Sequence, residues 1–340
     1  MSKKNSNALS LKSVFKKSKK ISEIYSNFKF RLEKIIKKKQ FVVGVSGGPD
    51  SLALAALSKM YQYEKKIKVF FVLIDHGIRI NSRSEANIVK RLLKKKNIVL
   101  KVIRNKEKIQ KNIQNKARTV RYKLLTQYSK KKKTKFILTG HHSDDQIETF
   151  LIRLSRGSGV QGLSSMSKTT KLTNNISLVR PLLNLKKKEL IYLAREVFGK
   201  FIKDPSNKDK KYLRTKIRSL KKELEKSGIR HDQIMRSINN LASTRDTLNN
   251  YLERTIVSCV KKKRNETLIN LKKLFLESNE IKLKILSSAI RDFSKSYYPP
   301  RSKKVFNVLK QFDSDRKTKL TLGGCFLEKS GDYLSIRKEA

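Results

Sequence analysis

From Ser46 to Ser51 the chain reads Ser-Gly-Gly-Pro-Asp-Ser, directly after the apolar run Phe41 to Val45 and directly before the helix-forming LALAALSKMY. A glycine turn that leaves a strand and opens a helix is an anion cradle. Gly47 and Gly48 let backbone amides come close to phosphate oxygens, Pro49 suits a first helical turn, and the helix dipole adds partial positive charge. The lysine of GxxxxGK[ST] is missing, and Asp50 would repel a bare phosphate. A divalent cation between the two removes that repulsion, so the loop points to a Mg²⁺-bridged pyrophosphate.

A second constellation, HHSDDQIET, runs from His141 to Thr149. Ser143 or a neighbouring aspartate can cap a helix there, which puts Asp144 and Glu148 four apart on one face, able to share a cation. Asp145 faces elsewhere on the turn and can orient an amine or activate a nucleophile, while His141 and His142 can contact phosphate or a base. Zinc is disfavoured, because no cysteine or further histidine is placed to complete its shell. The third cluster, Asp75-His76-Gly77-Ile78-Arg79 ahead of Ser84-Glu85-Ala86, is by itself a weaker signal, since Asp-His-Gly is also a common turn.

These clusters need a frame. Four apolar runs, at 41–45, 68–74, 98–103 and 135–140, alternate with stretches of helical periodicity. That alternation predicts an α/β fold with a doubly wound parallel sheet, in which ligands sit beyond the carboxyl ends of the strands, where all three clusters fall. After Arg180-Pro181 the pattern turns to long charged helices, and KLTLGGCFLEKSGDYLSIRK predicts a small C-terminal hairpin split at Lys329-Ser330-Gly331-Asp332. The expected organisation is a mobile basic N-terminal arm over 1–20, a catalytic domain over 21–218 and a mainly helical domain over 219–340.

Lys and Arg number 82 against 28 Asp and Glu in 340 residues, a formal charge of +54 that exceeds what solubility needs and favours an anionic partner such as a nucleic-acid backbone. Part of that charge also lies on solvated helix faces. The two cysteines, Cys259 and Cys325, lack CxxC spacing, which argues against a disulfide framework or cysteine-held cluster and for a reducing, cytoplasmic setting. No uncharged apolar run approaches the ~20 residues of a membrane span.

SGGPDS, DHGIR, HHSDDQIET, RPLLNLKKKEL and DPSNKDKKYLRTKIR occur in the order and at roughly the spacing of the tRNA(Ile)-lysidine synthetase family, whose loop is that of the N-type ATP pyrophosphatases. The later PPRS and LTLGGC resemble the substrate-binding part of its short members. The resemblance implies an adenine nucleotide hydrolase-like fold that uses ATP and Mg²⁺ to adenylate the wobble cytidine of a tRNA(Ile) with a CAU anticodon. The ε-amine of free L-lysine then displaces AMP. It further implies that Ser46, Gly47, Gly48, Pro49, Asp50 and Ser51 hold ATP, and that Asp50, Asp144 and Glu148 bind the metal. Asp145 and Glu148 bind and deprotonate the amine, with His142 and Arg214 also in the catalytic group. Arg214, Arg218 and Arg301 meet phosphate or tRNA, and a homodimer is compatible with the pattern. One departure stands out: Arg214-Thr215-Lys216-Ile217-Arg218 replaces Arg-Asn-x-Ile-Arg, so the asparagine amide has no counterpart. The additional C-terminal domain of longer members is expected to be absent. The alternatives are a thiolase on the same fold, for which the motif-bearing half lacks thiols, a small-molecule ligase or amidotransferase, and a non-catalytic basic tRNA-binding protein, which would not need the loop.

Overall fold

The computed structural model describes residues 10–107, 109, 113–202, 213–294, 300–313 and 319–339. Two compact units divide the chain, Met1–Ala242 and Ser243–Ala340.

The first unit opens with α1 (Leu11–Lys17) and α2 (Lys19–Ile36), capped by the Ser10 and Ser18 hydroxyls. Leu11, Val14 and Phe15 are buried in the main core, so the basic arm expected over 1–20 is instead, from Leu11 onward, a docked helix. The lysines conceal this in the sequence. Lys12, Lys16 and Lys17 are exposed, while apolar residues at i, i+3 and i+4 form an inward stripe. Residues 1–9 lie outside the described residues. In α2 the same logic buries Ile21, Ile24, Phe28, Leu32 and Ile36.

The sheet then follows as β1 (Phe41–Val45), α3 (Pro49–Lys65), β2 (Val69–Asp75), α4 (Ser82–Lys94), β3 (Leu100–Arg104), α5 (Ile113–Lys131) and β4 (Phe136–Leu138). After α6 (Ser143–Leu154) and the short α7 (Val160–Leu163), β5 (Thr169–Thr173) and β6 (Ile176–Val179) complete it, and α8 (Lys187–Phe198) and α9 (Leu213–Lys226) come next. Strand order is β3-β2-β1-β4-β6-β5, parallel except for the edge strand β5. The four strands expected from sequence are all present. β5 and β6 escape sequence reading because TTKLT is polar and ISLV is only four residues long. Alternation along β1 sends Phe41, Val43 and Val45 into the core under α2, α3 and α8, and Val42 into a second layer with Leu125 of α5. Helix α3, buried nearly all round, is the central support.

Helix α10 (His231–Cys259) covers the division at 242/243, not 218, because the apolar face of α9 and the start of α10 pack on α6: Ile147, Ile234 and Ile238 share one small core. The second unit contains β7 (Val260–Lys262), β8 (Thr267–Asn270), α11 (Leu271–Phe275), α12 (Asn279–Ser294), α13 (Ser302–Asp313), β9 (Lys319–Thr321), β10 (Cys325–Ser330) and β11 (Tyr333–Lys338). The expected hairpin is β10–β11, closed at Ser330 and Tyr333 with Gly331 at φ +55°. It forms part of an antiparallel sheet ordered β7-β8-β11-β10-β9, which is larger than the sequence implied.

Phe15→Ala is expected to destabilise the first unit by about 3 kcal/mol, read from its urea midpoint. An unchanged midpoint would restore the mobile arm.

Candidate active site

The loop from β1 to α3 is shaped by one hydroxyl. Ser51 Oγ accepts from the amides of Ser46 and Gly47, at 3.0 and 3.1 Å, and donates to the Gly48 carbonyl at 3.0 Å. Both amides, that of Gly47 among those expected near phosphate, are therefore turned toward Ser51. The cradle rests on the first amides of α3, which helix geometry leaves without intrahelical acceptors. Gly47 has φ +86°, and a Cβ there would lie 2.5 Å from Val89 Cγ2, so no other residue fits. Its carbonyl accepts from the Ile202 amide at 3.0 Å.

Gly140, which the sequence reading passed over, sets the second wall. A Cβ at this position would meet the Asp50 carbonyl oxygen at 2.9 Å and the Ser51 nitrogen at 3.2 Å. The turn after β4 thus touches the N-terminus of α3, and only a glycine allows it. The signal in the sequence was a strand-end glycine ahead of two histidines.

That contact gathers Asp50, His142, Asp144 and Asp145. His142 Nε2 lies 3.6 Å from Asp50 and 3.5 Å from Asp145, with Nδ1 3.7 Å from Asp144. Burial opposes a charge on His142, yet the hydrogen bond to Asp50 and the three carboxylates outweigh it and raise its pKa. Asp145 also accepts the His142 amide at 3.1 Å. Asp50 Oδ1 is buried without a hydrogen-bond partner.

Asp144 and Glu148, expected to share a cation, are met by two cations of α9, which lies over that face of α6. Arg218 forms a two-pronged pair with Glu148, 3.2 Å from Nη2 to Oε2, and Lys221 Nζ is 2.8 Å from Asp144 Oδ1. Asp144 Oδ2 accepts the Lys187 amide at 2.9 Å. Burial works against the Asp144 charge, but Lys221 and that amide pull its pKa down to about 2. Arg218, expected on phosphate, is taken by Glu148, and among the described residues no group of three His, Cys, Asp or Glu is arranged to hold a metal ion. The helices enclose a cavity of about 210 Å³ with an apolar floor that includes Ile147, Leu151, Ile217 and Ile234. His231, unforeseen, reaches the Ser143 hydroxyl at 3.2 Å on its edge.

At the ends of β2 and β4 sit two further imidazoles. Burial, then Arg121, drives His76 down to about 4. His141, which meets the Thr139 hydroxyl at 2.9 Å, is pushed well down by burial and by Arg180, Arg118, Arg214 and Arg121. Arg214 is exposed at the start of α9, and Arg301 is exposed just ahead of α13 in the second unit.

A glycine loop on a helix N-terminus beside the β1/β4 switch of a parallel sheet defines a nucleotide-utilising α/β domain, and residues 16–224 match the family model described as PP-loop domain, so the domain uses ATP. Similarity extends beyond that domain. The tRNA(Ile)-lysidine synthase of Wolbachia pipientis wMel is 34% identical over 308 residues, 88% of this chain and 71% of the relative. That of Orientia tsutsugamushi is 34% identical over 309 residues, 88% and 70% respectively. Among solved structures, the U34-tRNA thiolase NcsA from Methanococcus maripaludis aligns with TM-score 0.56 over 66% of this chain and 79% of its own, at 20% identity, which is a likeness of fold. The chain belongs to the tRNA(Ile)-lysidine synthase family. No described helix is long and apolar enough to cross a membrane.

Gly140→Ala should displace the Asp50 turn and reduce kcat/KM for ATP roughly 100-fold in steady-state assays. Asp144 offers a pH signature. Its folded pKa is depressed, so its stabilisation is complete above the ordinary carboxylate range and lost as pH falls toward 2. Asp144→Asn should therefore cost roughly 2 kcal/mol at pH 7 in urea titrations, a difference from wild type that shrinks below pH ~4.

Proposed function

We propose that the protein ligates free lysine to the wobble cytidine of a tRNA(Ile) with a CAU anticodon, by way of an adenylated base, releasing pyrophosphate and AMP. The observation that carries this reading is the unpartnered Asp50 oxygen on the loop that opens α3. A buried carboxylate oxygen costs free energy unless something ligates it, and a metal-bound triphosphate is the ligand that the adjoining helix N-terminus favours. The residues fit Mg²⁺ on that narrower footing: Asp50 would hold it together with phosphate oxygens and water, and the ion would neutralise charge on departing pyrophosphate. Asp144 and Glu148 are better read as the anchors of α9.

Ser51 shapes the loop so that the α3 amides meet the phosphates. His142, whose pKa the neighbouring carboxylates raise against burial, lies between Asp50 and Asp145. Lysine, with a reference pKa near 10.4, must lose a proton before it can attack the activated base. Asp145 is the acceptor this geometry favours, since Glu148 is held by Arg218. The cavity between α6 and α9 suits lysine as well, with an apolar floor for its four-carbon stem and charges of both signs on the rim. A thiolase would need reactive thiols, whereas Cys259 and Cys325 are both buried in the second unit.

Purified protein incubated with a tRNA(Ile) CAU transcript, ATP, Mg²⁺ and labelled lysine should transfer label to the tRNA only when ATP is present. Asp50→Ala should lower that rate at least 100-fold with an unchanged melting temperature. Pyrophosphate release that never leads to lysine on the tRNA would overturn the proposal in favour of another ligase of the same fold.

A further inference from the structure

The first turns of α10 meet α6 along one face. His231, Ile234 and Ile238 stand at i, i+3 and i+7 and so share a side of their helix. Ile234 and Ile238 form a small core with Ile147 of α6, and Phe150 and Leu151 pack against it. Where both helices begin, the seam turns polar: His231 Nε2 lies 3.2 Å from Ser143 Oγ, 88 residues away in the chain. Ser143 is 1% exposed and the His231 side chain 11%, so the contact is shielded from water.

This contact closes a ring of three helix starts. The Ser143 amide donates to the Leu185 carbonyl at 3.0 Å, and the Lys187 amide donates to Asp144 at 2.9 Å, which clasps the first turn of α6 to the entry of α8. Between those two, Lys186 sends its ammonium to 3.0 Å from Asp232, and Asp232 in turn lies 3.3 Å from His231 Nδ1. An ionised carboxylate only accepts, so Nδ1 donates to Asp232, and Nε2 is left facing Ser143. Apolar contacts between helices bury area but tolerate sliding. A shielded polar pair does not, because a shift leaves a donor or an acceptor without its partner. The Ser143–His231 bond therefore sets the register of α10 on α6. The turn next to it is the one that matters for chemistry: Asp145, two residues past Ser143, accepts the His142 amide at 3.1 Å and lies 3.5 Å from the His142 ring, which also approaches Asp50.

We infer that His231 is a positioning residue for the reaction: by holding the Ser143 hydroxyl it fixes the first turn of α6 and so keeps Asp145 and His142 aligned with the Asp50 loop. The inference rests on the proposed function in that Asp145 is taken as the proton acceptor for the attacking amine. A carboxylate displaced by a fraction of an ångström slows the step that needs it in place. Nucleotide binding is spared, since the α3 amides and the loop shaped by Ser51 belong to other elements. Loss of His231 is therefore felt in kcat and not in KM for ATP.

Lysine transfer to a tRNA(Ile) CAU transcript and pyrophosphate release are both measured in steady state for wild type, His231→Ala, His231→Gln, Ser143→Ala and the double variant Ser143→Ala/His231→Ala, with urea titrations to establish that each folds. His231→Ala should lower kcat about 30-fold and leave KM for ATP within about twofold of wild type. His231→Gln, whose amide can still reach the hydroxyl, should recover most of that rate. The double variant should be no slower than the slower single one, the mark of a shared interaction. Losses that multiply in the double variant would overturn the inference, as would a full rate in His231→Ala, or a folded His231→Gln as slow as His231→Ala. Should His231→Ala fail to fold, Ser143→Ala reads the same bond from its other end, with the same split between kcat and KM expected and its absence fatal. Wild type that releases pyrophosphate without transferring lysine would refute the proposed function, and the role of His231 would then stand or fall on the same pattern in pyrophosphate release.

Discussion

The approach of Gly140 to the backbone of Asp50 is the constraint on which the site depends. Two strand ends, from β1 and β4, each carry a cluster of polar groups, and the clusters act together only if the turns touch. With a hydrogen atom in place of a side chain at residue 140, the α3 N-terminus and the α6 N-terminus face each other across His142. The hydroxyl of Ser51 then shapes one turn, and the cap between Asp145 and the His142 amide shapes the other. The buried length of α3 holds this arrangement in place, because moving that helix would disturb its packing on β1, β2 and α8.

Charge is the second organising influence. In a chain of formal charge +54, carboxylates are scarce and cations are always near. Around α6 the balance is local and close: Asp144 has Lys221, Glu148 has Arg218, and His142 lies among Asp50, Asp144 and Asp145. On the α5 side burial makes His76 and His141 neutral near pH 7. One edge of one sheet therefore carries a buried Asp50 oxygen without a hydrogen-bond partner and several guanidiniums that act on His141. Both features suit a reaction between a metal-bound nucleotide and a polyanion.

The sequence by itself determined the frame and the chemistry. Strong apolar runs at strand spacing, and glycines and acids at their ends, dictate a parallel sheet with a phosphate loop and place Asp50, His142 and Asp145 at one edge, because period and turn chemistry are local properties of the chain. The hairpin at Gly331 was legible for the same reason. What only the tertiary structure decided is who partners whom. Arg218 and Lys221 lie 70 and 77 residues from Glu148 and Asp144, and no local pattern assigns those pairs. Helix α1 hid behind its lysines, since a buried stripe in a basic segment shows itself only once a core is there to receive it. The arginines that act on His141 are the plainest case: Arg118, Arg121, Arg180 and Arg214 come from two helices and a strand end, and the folding of the sheet, not their spacing, makes their charges add.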